Sequence, residues 1–251
     1  MARYFLTIEY DGTPYSGWQR QDNAPSVQEA IEAALTKLGE PDTLVYGAGR
    51  TDTGVHALAQ IAHVDVKREW TGFKLREAIN STLRPHPISI IEAILVDDKT
   101  HARFDATARH YLFRIINRRP SLALDLNRAW HVKQPLDVSK MNEAGQLLLG
   151  THDFTTYRAS RCQSKSPIKT LDRLDVTQHG DVIEIRASAR SFLHNQVRSF
   201  AGTLKKVGDG SWQVQDVVTA LEAKSRDACA PVAPPHGLYL IKVDYPRNLN
   251  L

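Results

Sequence analysis

Ser26-Val27-Gln28-Glu29-Ala30-Ile31-Glu32-Ala33-Ala34-Leu35-Thr36-Lys37-Leu38-Gly39 reads as one amphipathic helix. Ser26 and Glu29 form a capping pair at its start. Val27, Ala30, Ile31, Ala34, Leu35 and Leu38 then recur at helical spacing until Gly39 stops the pattern. Before it, Arg3 to Tyr10 alternates as a strand and Asp11-Gly12-Thr13-Pro14 ends that strand with turn chemistry. After it come short strands at Thr43–Ala48 and Gln60–Val66, a helix at Gly72–Leu83 and a strand at Ile88–Val96. The first half is therefore strand, helix, strand, strand, helix, strand.

The second half opens on His110-Tyr111-Leu112-Phe113-Arg114-Ile115-Ile116, which faintly echoes Arg3-Tyr4-Phe5-Leu6-Thr7-Ile8, and it repeats the alternation of element types. A helix is predicted over Val138–Leu149, strands over Thr170–Thr177 and Val182–Ala189 about a His179-Gly180-Asp181 turn, helices over Asn195–Val207 and Val214–Ala223, and a last strand over Leu238–Asp244. The expected class is α+β: two similar halves, residues 1–100 and 101–251, with mixed, mainly antiparallel sheets and helices on one face.

The chain has 251 residues, 42% hydrophobic and 24% charged, which is ordinary for a globular protein and excludes a disordered one. No apolar run is long enough for a signal peptide or a membrane span, so a cytoplasmic protein is expected. Cys162 and Cys229 stand far apart without a metal-binding or disulfide pattern. The net charge of +4 is unevenly spread. Residues 103–131 carry six Arg against two Asp, residues 158–173 five basic residues against Asp172, and residues 186–206 five basic residues and no acid, which leaves the remainder acidic. With Phe104, Tyr111, Phe113, Trp130, Phe154, Tyr157, Phe192 and Phe200 among or beside these charges, the pattern suits a polyanion with bases to stack, RNA above all. The phosphate contacts expected from the first two segments are Arg109, Arg114, Arg158, Arg161, Lys165 and Lys169.

Gly49-Arg50-Thr51-Asp52-Thr53-Gly54-Val55-His56-Ala57 sets one carboxylate among turn-forming residues beside an arginine. Asp52 there is either a nucleophile or base held ionised by Arg50, or a loop residue capping the next element. An aspartic-protease reading of Asp52-Thr53-Gly54 fails, because nearby positive charge opposes a shared proton and no second such tripeptide exists. His56, His63 and Asp65 match no metal-ligand spacing, and neither a dinucleotide-binding nor a phosphate-cradling glycine loop occurs, so no cofactor and no metal are expected. Glu9-Tyr10-Asp11-Gly12-Thr13 lacks the paired first aspartate of an aspartyl-phosphate loop and reads as a strand-ending turn that packs or positions a neighbour. Arg198, in the first turn of a helix, meets a carboxylate, a phosphate or solvent. Tyr111 belongs to the core or stacks on a base.

Tyr10-Asp11-Gly12-Thr13-Pro14-Tyr15-Ser16-Gly17-Trp18-Gln19, the Gly49–Gln60 block, Phe104-Asp105-Ala106 with Arg109 and Tyr111, Gly150-Thr151-His152-Asp153-Phe154, Ser191–Arg198 and Pro234-Pro235-His236-Gly237-Leu238-Tyr239 resemble, in order, the tRNA pseudouridine synthase A (TruA) family. Gln196 departs from the pattern, standing where many members carry an apolar residue. The resemblance implies the pseudouridine synthase fold around a central basic cleft. It also implies a cofactor-free homodimeric isomerase that converts uridine to pseudouridine at positions 38, 39 and 40 of the tRNA anticodon stem-loop. Asp52 is then the nucleophile or base, Arg198 its ion-pair partner, Tyr111 the ring against which the flipped base rests, and Arg50 the side chain that fills the vacated stack. A pseudouridine synthase with another RNA target and a non-catalytic RNA-binding protein are the alternatives.

Overall fold

The computed structural model describes residues 1–160 and 162–246. Among these the elements run β1 (Ala2–Tyr10), α1 (Val27–Lys37), β2 (Tyr46–Gly47), β3 (His56–Val66), α2 (Gly72–Leu83), β4 (Ile88–Val96), β5 (Ala108–Asn117) and β6 (Trp130–Val132). They continue with α3 (Val138–Gln146), β7 (Gly150–Asp153), β8 (Ile168–His179), β9 (Val182–Ala189), α4 (Gln196–Gly208), α5 (Asp216–Ala223) and β10 (Leu238–Asp244). The class is α+β with mixed, mainly antiparallel pairing. No helix among the described residues is long and apolar enough to cross a membrane.

Two compact units form, one of residues 1–109 with 239–251 and one of residues 110–238. In the first the strand order is β4-β1-β3-β10, with β2 also on β3. β1 runs antiparallel to both neighbours, with Leu6 opposite Ala62 of β3 and Ala93 of β4. β10 runs parallel to β3, with Tyr239 opposite His56 and Leu240 opposite Ala57. Tyr4, Phe5, Leu6 and Ile8 are all buried, so β1 is covered on both faces. The Val27, Ile31 and Leu35 stripe of α1 and the Leu75, Ile79 and Leu83 stripe of α2 are fully buried, α1 on α2 and α2 on β4. Each such side chain contributes roughly 1.5–3 kcal/mol by leaving water.

In the second unit the order is β5-β9-β8-β7, with β6 parallel to β5. The predicted turn at Gly180 joins β8 to β9 as an antiparallel hairpin, His179 opposite Val182. α4 buries Phe200, Leu204 and Val207, and Phe200 meets Phe154 and Tyr157 at centroid distances of 5.6 and 5.0 Å.

Several boundaries differ from expectation for local reasons. The strand expected over Thr43–Ala48 reduces to Tyr46–Gly47. α3 stops at Gln146 because Leu148 and Leu149 donate three residues back, to Gly145 and Gln146, which winds the end into a turn. β3 begins at His56, four residues before the expected start. The capping of α1 is as expected at Ser26, whose Oγ accepts from Glu29 N. Its other leading N–H groups are met from outside the helix, Val27 by Gly17 O and Gln28 by Trp18 O. The turn after β1 thus docks on the start of α1, and this places it beside the Asp52 loop.

Candidate active site

The Asp52 loop is a tight turn, closed by Val55 N donating to Asp52 O at 3.1 Å. Arg50 is exposed and Asp52 half-buried, whereas Thr51 and Val55 are buried. The two outward residues are therefore carried on an anchored backbone. Residues 10–18 provide one wall. Trp18 N donates to Thr51 O, Gly54 N donates to Tyr15 O, and the Tyr10 and Thr51 hydroxyls meet at 2.8 Å. The walls touch so closely that two positions admit only glycine. A Cβ on Gly12 would lie 2.0 Å from Val55 O, and one on Gly17, whose φ is +99°, would lie 2.5 Å from Thr51 O. The turn expected over Glu9–Thr13 to pack or position a neighbour has the Asp52 loop as that neighbour, through Tyr10 and Gly12.

His56 lies under this junction. It is buried, its Nδ1 accepts from Gly12 N at 3.0 Å, Asp11 Oδ1 lies 3.2 Å from the same nitrogen, and its ring stacks on Tyr239 at 4.7 Å. Tyr15 is also buried, and its phenol is pushed up to about 12 by burial and then by the Asp11 carboxylate. It stays protonated and shares a hydrogen bond with His86 Nδ1 at 3.1 Å.

Behind the loop two buried side chains reach its backbone. Gln60 Nε2 donates to Gly49 O at 2.8 Å. Arg109, expected against RNA, is only 9% exposed, and its guanidinium donates to Ala48 O at 2.8 Å, Arg103 O at 2.7 Å and Ala106 O at 3.1 Å. A charge run in sequence gives no sign of this, because a buried arginine and an exposed one look alike until the acceptors are placed.

In the second unit Arg198 sits on the first turn of α4 after Asn195, which takes a left-handed conformation at φ 64°. Arg198 Nε donates to Ala233 O at 2.9 Å and Nη1 to Asn195 Oδ1 at 2.9 Å, and its own carbonyl accepts from Ala233 N. The guanidinium is held from two sides. Gln196, the departure from the family pattern, is buried and satisfies its own turn, Oε1 accepting from Leu193 N at 2.8 Å. Tyr111 is 9% exposed and meets Phe192 edge-on, 5.3 Å between centroids at 90°. Among the expected phosphate contacts, Arg114 pairs with Asp125 at 3.1 Å, Arg158 and Lys169 are half-buried, Lys165 is exposed, and Arg161 lies outside the described residues.

No group of three His, Cys, Asp or Glu among the described residues is arranged to hold a metal. The residues weighed for one have other partners: Asp65 binds Arg3 at 2.7 Å, and His63 Nδ1 accepts from Ala102 N at 3.2 Å.

A family model described as tRNA pseudouridine synthase matches residues 6–105 and 144–246. Three relatives named tRNA pseudouridine synthase A agree along nearly the whole chain. That of Allorhizobium ampelinum is 59% identical over 252 residues, covering 100% of this chain and 97% of its own. That of Afipia carboxidovorans is 56% identical over 98% of this chain and 100% of its own, and that of Brucella ovis 59% identical over 98% of both. A solved Cbf5-Nop10-Gar1 complex aligns at a TM-score of 0.37 with 10% identity, over 94% of this chain and 48% of that one, too loosely for any residue to be carried across.

Proposed function

The chain belongs to the tRNA pseudouridine synthase family, and from that premise we propose that it isomerises uridine to pseudouridine at positions 38, 39 and 40 of the tRNA anticodon stem-loop. The observation that carries the reading is agreement along nearly the full length with relatives of that name. The protein acts as a homodimer in the cytoplasm and needs no cofactor. The reaction breaks the bond from uracil N1 to the ribose C1′ and forms one from C5 to C1′; C5 loses a proton and N1 gains one. It is redox-neutral within the nucleotide.

A base cannot turn over inside a stack, so the nucleotide leaves the helix first. Arg50, exposed at the tip of an anchored loop, fills the gap. Asp52 serves as nucleophile or base, with Arg198 as its charge partner through the paired donors of a guanidinium. Tyr111, its ring plane set by Phe192, supports the flipped uracil. Arg114, Arg158, Arg161, Lys165 and Lys169 contact phosphates. Arg109 is already engaged by the carbonyls of Ala48, Arg103 and Ala106.

The test is incubation with unmodified tRNA transcripts followed by mapping of pseudouridine. Modification at 38–40, abolished in Asp52→Asn with tRNA affinity retained, is the expected result. Binding without modification would leave an RNA-binding protein, and modification elsewhere would assign another target. Arg198→Lys, which keeps the charge but not the fork, should slow turnover about tenfold or more.

A further inference from the structure

Ala48 N donates to Ile61 O at 2.7 Å, the last main-chain bond linking this segment to β3 before the chain turns outward. Beyond it two consecutive carbonyls are taken over by buried side chains, Ala48 O by Arg109 and Gly49 O by Gln60, each at 2.8 Å. Further along, the carbonyls of Thr51 and Asp52 are held by backbone, Thr51 O by Trp18 N and Asp52 O by Val55 N. The backbone is thus pinned on both sides of Arg50, and on its N-terminal side the pins are side chains.

We propose that Gln60 and Arg109 are positioning residues that fix the backbone from which Arg50 and Asp52 project, so that turnover depends on these two buried hydrogen bonds. The inference rests on the reading that Asp52 performs the chemistry. Gln60 is fully buried, so its amide is locked by packing as well as by its bond. Its Oε1 has no hydrogen-bond partner among the described residues, so the bond from Nε2 to Gly49 O is the polar contact that the side chain makes there. Arg109 brings a rigid planar fork, and its bonds to Arg103 O and Ala106 O tie residues 103–106 to the same point. Charged donors of this kind make bonds about twice as strong as neutral ones. A displacement of about 1 Å in a reacting group can cost about a hundredfold in rate, so a small loosening here reaches Asp52 as lower turnover.

The decisive variant is Gln60→Met, which keeps the length of the side chain, removes the donor to Gly49 O and removes the unpartnered oxygen with it. Single-turnover pseudouridine formation at saturating tRNA should slow about tenfold, while tRNA affinity and melting temperature stay at wild-type values. A wild-type rate beside an inactive Asp52→Asn overturns the inference and leaves the function standing; an active Asp52→Asn overturns the reading beneath it. If Gln60→Met does not fold, Gln60→Glu decides. Its carboxyl donates to Gly49 O only when protonated, so the ratio of variant to wild-type rate should rise as pH is lowered, and a flat ratio overturns the role. Arg109→Lys should slow turnover without changing the slope of log affinity against log salt. A shallower slope would make Arg109 a phosphate ligand and end its assignment as a positioning residue.

Discussion

The hydroxyls of Tyr10 and Thr51 meet at 2.8 Å in the interior of the first unit, joining the end of β1 to the residue before Asp52. Both side chains are buried, so neither hydroxyl gains by turning to water. The hydrogen bond fastens the candidate catalytic loop to a strand that pairs with β3 on one side and β4 on the other.

A double-mutant cycle of Tyr10→Phe and Thr51→Val should therefore return a coupling energy of about 0.5–1.5 kcal/mol in denaturant unfolding. Each single variant should also lower turnover more than it lowers tRNA affinity. A coupling of zero would show that this bond does not help to hold the loop.

Acid should weaken the fold in a window set by His63. Its pKa is pushed down to about 4, first by burial and then by the positive charges of Arg3 and His101; His101 is lowered as well, chiefly by burial. Above the ordinary histidine value of about 6.5 both folded and unfolded chains are neutral there, and stability is complete. As pH falls from about 6.5 towards 4 the unfolded chain takes up a proton that the folded one refuses, and stability falls, by roughly 1–3 kcal/mol for His63. Asp65, held low by its bond to Arg3, withdraws its contribution only at still lower pH. His63→Asn keeps an acceptor for Ala102 N and cannot titrate, so its profile of melting temperature against pH should be flatter in this window. An equal slope in the variant would assign the acid sensitivity elsewhere.

Lys165→Gln with Lys169→Gln should flatten log affinity against log salt by about 1.4–1.8, near 0.7–0.9 for each phosphate that is no longer neutralised. The positions modified should not change, since phosphate-binding residues orient and do not specify. Tyr111→Ala should leave that slope alone and abolish turnover, with Tyr111→Phe retaining it. An unchanged slope in the lysine variant would remove both residues from the interface.

The elements most readily read from sequence are those with a long local period. α2, β4, β9 and β10 carry their expected bounds, because each is a run in which apolar spacing and the flanking turn residues agree. β6 and β7, of three and four residues, are too short to show a period and have no counterpart among the expected elements. The parallel match of β10 with β3 pairs Tyr239 with His56, far apart along the chain, and no local pattern encodes it. At the site the residues of the Asp52 loop stand out in sequence because small, charged and turn-forming types are crowded together. Their supports do not. In sequence His56 matches no metal-ligand spacing and reads only as a strand or loop histidine, Arg109 reads as a phosphate ligand and Gln60 as the start of a strand, since what each one does is decided by carbonyls and N–H groups brought in from elsewhere in the unit.

The position of β10 also orders the birth of the enzyme. The ribosome delivers β1 to β4 first, yet the strand that lies beside His56 and Ala57 comes only with residues 239 and 240. Until then that stretch of β3 has an open edge, and His56 lacks the Tyr239 ring on which it stacks. The unit whose first strands are made early is therefore completed only after residues 239 and 240 have followed, and the Asp52 loop gains its full support only then.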